Sequence, residues 1–170
     1  MTNTTHNQDV LTQAMDAFLK EEYSDSIGLF SALLTEQPDH KIFLASRGSA
    51  FLRLNRLDEA LADFDRAIAS HPDYALAYHL RGLVRTRQGC KRDALADLDK
   101  ALALDPNYGA AYASRAAVHQ ELGHDALAAD DLATVAGLTQ VNLETYAGQN
   151  NIWQTRQFQV EQTLESELHR

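Results

Sequence analysis

Apolar residues recur along this chain at helical spacing, in paired segments separated by short polar breaks. The stretch "KIFLASRGSAFLRLNRLDEALADFDRAIASHPD" holds one such pair, roughly Lys41–Leu54 and Leu57–Ser70. Asn55 falls between the two segments, where a helix end favours a residue able to turn left-handed. No stretch sustains the alternation of a half-buried strand, so the chain is expected to be all-α.

The pair repeats. Set in rows of 34 that begin at Asn7, Lys41, Ala75 and Gly109, the residues stack into columns. Pro38, Pro72 and Pro106 share one, with Gln140 in the fourth row. Ala14, Gly48, Gly82 and Ala116 share another, and Ser26, Ala60, Ala94 and Ala128 a third. These two small columns are expected to face each other and let paired helices approach closely. Phe30, Phe64, Leu98 and Leu132 make a large column, as do Val10, Leu44, Tyr78 and Tyr112. Asn55, Gly89 and Gly123 share the turn column, where Glu21 is a poorer fit. Pro-Asp at 38 and 72, and Pro-Asn at 106, are expected to end one helix and cap the next. Arg85 stands in a packing column with Ala17, Phe51 and His119, where a charge is out of place.

With this period, "LASRGSAFLRLNRLDEALADFDRAIASHP" and "YHLRGLVRTRQGCKRDALADLDKALALDP" resemble full tetratricopeptide repeats (TPRs). The shared features are Gly early in the first helix, Ala in the second and Pro at the end. The resemblance covers about Asn7–Gln140 and departs at Glu21, at Ser26 and at the missing fourth proline. It implies an all-α, right-handed superhelical array of four helix-turn-helix repeats, 7–40, 41–74, 75–108 and 109–140, after a short tail at 1–6. Residues 141–170 are expected to add a partial repeat, "VNLETYAG", and a C-terminal capping helix from about Asn150. On that helix Trp153, Val160, Leu164 and Leu168 share one face, and Phe158 points away. The family's usual work is to bind peptides or proteins rather than to catalyse.

An arginine column sets this chain apart from the Leu usual there in the family. Arg47, Arg81 and Arg115 stand one row apart, each followed sixteen residues later by Asp63, Asp97 or Asp131. The first row has Gln13 and Leu29 at those places, so the two charges come and go together. Structural ion pairs are expected, because a buried charge without a partner is costly.

In TPR arrays the first helices line the concave surface. By that resemblance, the groove positions are Leu11, Met15 and Leu19; Ala45, Ser49 and Arg53; His79, Leu83, Thr86 and Arg87; Ala113, Ala117, Gln120 and Glu121. The carboxylate clamp of chaperone-binding members needs Lys, Asn and Arg where this chain has Leu11, Met15, Ser46, Leu76 and Leu80. The groove is therefore expected to be small and apolar, with Arg53 and Arg87 one repeat apart. The partner read from it is a protein or peptide carrying an acidic residue beside apolar ones. The alternative is a scaffold that self-assembles end to end or through its tail.

Composition narrows the classes further. A net charge of -9 argues against nucleic acid, which needs a broad cationic surface. One cysteine, Cys90, excludes an internal disulfide framework, and Cys90 is read as a small helix-start residue. His119 and His124 straddle the turn at Gly123, so they do not share a helix face and are read as ordinary helix-end residues rather than metal ligands. The N-terminus has no basic start followed by an apolar run, and no stretch is long and apolar enough to span a membrane, so a cytoplasmic protein is expected. No catalytic residues, cofactor or metal ligands are read from the chain.

Overall fold

A computed structural model describes the backbone of residues 2–148 and the side chains of residues 7–139. The expected capping helix, with Trp153, Phe158, Val160, Leu164 and Leu168, lies outside the described residues. Eight helices and no strand occur among the described residues. They are α1 Thr2–Leu19, α2 Tyr23–Glu36, α3 Lys41–Arg53, α4 Leu57–Ser70, α5 Ala75–Arg87, α6 Lys91–Leu104, α7 Gly109–Glu121 and α8 Asp125–Gly148. α3, α5 and α7 begin at the first residue of their rows. α1 starts earlier than its row, because no proline or glycine among residues 2–6 prevents the helix from extending upstream. Each helix packs on its neighbours in sequence, and first helices also touch across repeats, α3 on α5 and α5 on α7.

The turn column behaves alike in all four rows. Glu21, Asn55, Gly89 and Gly123 have φ of 62°, 57°, 78° and 74°. After each, a backbone N–H reaches back across the turn: Glu22 to Ala17, Arg56 to Phe51, Cys90 to Arg85 and His124 to His119, at 2.8–2.9 Å. This is a Schellman closure, and it draws even Glu21 into a left-handed conformation that costs a non-glycine residue about 1–2 kcal/mol.

The connections between repeats differ from expectation. The N-caps of α3, α5 and α7 are His40, Tyr74 and Tyr108, not Asp39, Asp73 and Asn107, and none makes a side-chain cap bond. A backbone turn decides this. His40, Tyr74 and Tyr108 each donate N–H to the residue three before, which leaves the Asp or Asn inside the turn. Asp39 pairs instead with Arg66 at 2.9 Å. Tyr74 and Tyr108 are buried, so apolar packing fixes where α5 and α7 begin.

The small columns meet as expected. Ser26 Oγ donates to the Ala14 carbonyl at 2.9 Å, and Ala60, Ala94 and Ala128 are buried opposite their partners. A Cβ on Gly48 would lie 2.5 Å from Phe64 Cε1; one on Gly82 would lie 3.1 Å from Leu98 Cγ. The large column fills the space behind: Phe30, Phe64 and Leu98 are at most 1% exposed. Leu132, in the same column, is 45% exposed. α8 also runs on through Gly148 as one helix, so "VNLETYAG" continues it rather than starting a partial repeat. Gln140 explains the difference, because it stands where the other rows have the proline that stops the second helix.

The two glycines should answer differently to a methyl group. Gly48→Ala is expected to lose about 1–3 kcal/mol, because the buried Phe64 ring must shift. Gly82→Ala is expected to stay within about 1 kcal/mol, since the small shift of Leu98 is offset by better helix propensity. Urea unfolding of the two variants checks this; equal losses would show that the first helix does not depend on closer approach at Gly48.

Candidate functional site

Two arrangements could serve a ligand, the arginine column and the faces of the first helices. The arginines are engaged internally. Arg47 donates from Nε and Nη2 to both oxygens of Asp63, at 2.9 and 2.6 Å. Arg81 meets Asp97 at 3.0 and 2.6 Å, and Arg115 meets Asp131 at 2.9 and 2.6 Å. The remaining arm, Nη1, reaches the second helix of the preceding repeat: Ser31 Oγ at 3.0 Å, Asp65 at 2.7 Å and Asp99 at 2.6 Å. One guanidinium thus ties its own first helix to two second helices.

Burial separates the two arms. The Asp63, Asp97 and Asp131 side chains are 4–6% exposed, so these bidentate pairs are desolvated and strong. Asp65 and Asp99 are more than half exposed, and pairs of that kind contribute only about 0.2–1 kcal/mol each. The hydrogen bond to Asp97, opposed by burial and aided by Asp65, pushes the Arg81 guanidinium above its already high range; Asp131 and Asp99 do the same for Arg115. The misplaced charge at Arg85 is resolved by the same carboxylate, for its Nη1 lies 2.6 Å from Asp97 Oδ2.

The first-helix faces sort into covered and open parts. Ala45, Ser49 and His79 are buried to 0% exposure and do not line a groove. The cause is the direct packing of α3 on α5 and of α5 on α7. His79 is also held by side chains at and beyond the start of α7, with Nδ1 2.8 Å from Tyr108 Oη and Nε2 2.9 Å from Ser114 Oγ. Leu11, Met15, Leu83, Thr86 and Ala113 are half-buried, and Leu19, Ala117, Gln120 and Glu121 are exposed. At the clamp positions, Ser46, Leu76 and Leu80 are buried, and Ser46 Oγ has no hydrogen-bond partner.

The two groove arginines are already in use, to different degrees. Arg87 is exposed but gives one N–H to the Leu52 carbonyl at the end of α3, at 2.8 Å. Arg53 is largely covered, with Glu21 at 3.7 Å and the Tyr23 ring 5.3 Å beneath it. Glu121, at the same place in the fourth row, takes Lys91 at 3.0 Å. Both arginines thus bear on the preceding repeat, a role their place near helix C-termini favours.

His119 and His124 do not share a helix but come together across the turn, with their Nδ1 atoms 3.3 Å apart. The Schellman closure at Gly123 folds the chain back and brings the rings together. No group of three or more His, Cys, Asp or Glu able to hold a metal occurs among the described residues. Burial against its neighbours, then His71 and Lys41, holds the His40 imidazole below its ordinary range. Cys90 is an exposed free thiol ahead of α6.

Tetratricopeptide repeat family models match residues 11–75 and 75–108. Among solved structures, MamA residues 41-end from Desulfovibrio magneticus RS-1 superposes with a TM-score of 0.70 at 19% identity, over 79% of this chain and 76% of that one. The first TPR of Spaghetti (RPAP3) bound to the HSP90 peptide SRMEEVD superposes with a TM-score of 0.65 at 24% identity, over 69% and 93%. The Arabidopsis OM64 TPR domain gives 0.64 at 19% identity, over 68% and 96%. No curated protein matches the chain significantly in sequence.

The unequal partners of the arginines yield a stability test. Arg47→Leu leaves the buried Asp63 carboxylate without the arginine that pairs with it, and should cost about 3–5 kcal/mol. Arg81→Leu should cost measurably less, because Arg85 still neutralises Asp97. Chemical denaturation of both variants checks the order; a larger loss for Arg81→Leu would contradict it.

Proposed function

Because the chain belongs to the tetratricopeptide repeat family, we propose that it is a non-enzymatic interaction module whose first helices bind a segment of another protein. The observation that carries the reading is one stripe. Met15, Leu83 and Ala117 occupy the same place in the first helices of the first, third and fourth repeats and remain accessible, while Ser49, at that place in the second, is buried. Leu11 and Ala113 flank it, and Arg87 is an exposed cation one turn further along α5.

The ligand this face suits is an extended segment with apolar side chains for the stripe and an acidic residue for Arg87. Arg53 offers a second cation if the segment displaces Glu21 from it. Recognition does not run through a terminal carboxylate, since the clamp positions hold Leu11, Met15, Ser46, Leu76 and Leu80. The Spaghetti neighbour is bound to a heat-shock protein peptide, which supports peptide binding on this fold but not that ligand here. Net charge -9 suits a protein partner, in a cytoplasmic setting, rather than nucleic acid. No helix among the described residues is long and apolar enough to cross a membrane.

The end-to-end scaffold is the weaker reading. The arginine column that ties neighbours together stops at Gln13 in the first row, and Ala133 replaces its acceptor in the last. An array that stacked on itself would keep those charges at its ends.

Peptides selected from a displayed random library against the wild-type protein test the proposal. The selected sequences are expected to pair an acidic residue with apolar ones. Ala117→Arg and Arg87→Glu should each weaken them at least about tenfold, or ~1.4 kcal/mol; Ala117→Arg should leave the melting temperature unchanged, whereas Arg87→Glu also loses the bond to the Leu52 carbonyl and should lower it slightly. Binding should also weaken with salt for the wild type. Peptides that bind both variants as tightly as the wild type would place the binding surface elsewhere.

A further inference from the structure

We propose that His119 and His124 chelate one zinc-class transition-metal cation through their Nδ1 atoms, in a two-nitrogen site built by the turn between α7 and α8. The two Nδ1 atoms lie 3.3 Å apart, with ring centroids 5.6 Å apart and ring planes inclined at 47°. Two imidazole nitrogens, each about 2.0–2.1 Å from a tetrahedral zinc ion, are separated by about 3.3–3.4 Å. A right-angled arrangement would bring them to about 2.8–3.0 Å, so the spacing suits the tetrahedral preference of zinc.

The two rings satisfy each other poorly. An N–H···N contact at 3.3 Å is long for a hydrogen bond. It also requires unlike tautomers, with one ring giving a proton from Nδ1 and the other receiving it. A cation takes both lone pairs at once. The helix ends beside the pair are compatible with one. His119 stands in the last turn of α7, where the helix dipole favours positive charge, and Asp125 in the first turn of α8 offsets the opposite dipole end beside His124.

The meeting is a property of the turn rather than of two free side chains. The same two places hold Ala17 and Glu22, Phe51 and Arg56, and Arg85 and Cys90 in the other rows. In each row the later residue donates its backbone N–H to the carbonyl of the earlier one, as His124 does to His119 at 2.9 Å. In the second repeat the side chains meet as well, with the Arg56 guanidinium 4.6 Å from the Phe51 ring centroid. Only the fourth repeat has a metal-binding side chain at both places. Ligands on one helix face stand three or four residues apart; here the turn, not a shared face, brings together two residues five apart. Two protein ligands leave positions for water or for a donor from another molecule, unlike a closed structural site.

The test is calorimetric titration of zinc chloride into the full chain, on a Cys90→Ser background that removes the exposed thiol. One ion per chain is expected to bind at this site. Loss of an outer-shell partner alone costs a metal site about 10–100-fold in affinity, so His119→Gln and His124→Gln should each weaken binding at least about tenfold. The double variant should bind about as weakly as either single one, because one imidazole alone does not chelate. No saturable binding by the parent chain, or unchanged affinity in either single variant, overturns the proposal. Nitrogen-15 NMR of the imidazoles gives a readout that needs no substitution at the site. Zinc should shift the Nδ1 resonances of both rings to those of coordinated nitrogens and leave the protons on Nε2. Coordination through Nε2, or by one ring only, would also overturn it.

Discussion

The geometry of the array rests on one guanidinium in each of the second, third and fourth repeats, which holds three helices. Nε and Nη2 grip the buried aspartate across the helix pair, and Nη1 reaches back to the repeat before. A planar fork can satisfy both directions only if all three helices keep their relative places. Apolar contacts are permissive by comparison; they tolerate sliding. The buried charge is not permissive, because an aspartate that loses its partner at 4–6% exposure is left in a medium that cannot solvate it. The pairs therefore select one arrangement, while Phe30, Phe64, Leu98 and their neighbours supply the bulk of the burial.

That division of labour leaves only part of the first-helix face accessible. The arginines most tempting as ligand contacts are used for cohesion, and so, in part, are Arg53 and Arg87. His79 shows the same priority, since its nitrogens are taken up by Tyr108 at the start of α7 and by Ser114 within it. The surface left accessible there carries Met15, Leu83, Ala117 and the cation Arg87. The two ends of the array differ from its middle: Gln13 and Leu29 remove the charged pair from the first repeat, and Ala133 stands at the place where Ser31, Asp65 and Asp99 receive the backward arm.

Columns spaced by 34 are enough to place the helices, the close approach at Gly48 and the pairs of Arg47, Arg81 and Arg115, because a repeat imposes the same contacts on each copy. The backward arm to Asp65 and Asp99 has the same spacing, sixteen residues before each arginine, but is hidden among the many acidic residues of the second helices. Depth is not legible. A column shows which side of a helix a residue occupies, but whether the next repeat covers it depends on how closely two first helices pack; hence Ala45, Ser49 and His79 are buried although they share columns with accessible residues. Turn closure is half legible: the left-handed residues are, but the meeting of His119 with His124 depends on the backward bond that such a turn makes. The length of α8 is the consequence of one missing proline.

The most direct test is a double-mutant cycle on Arg47 and Asp63, the pair least complicated by other cations. Each residue is changed to Leu alone and together, and unfolding free energies are measured in urea. The account predicts a coupling energy of about 2–3 kcal/mol, with the double variant recovering most of what Arg47→Leu loses. Losses that simply add, within about 0.5 kcal/mol, would show that the two charges do not hold each other, and that the array is fixed by its apolar packing alone.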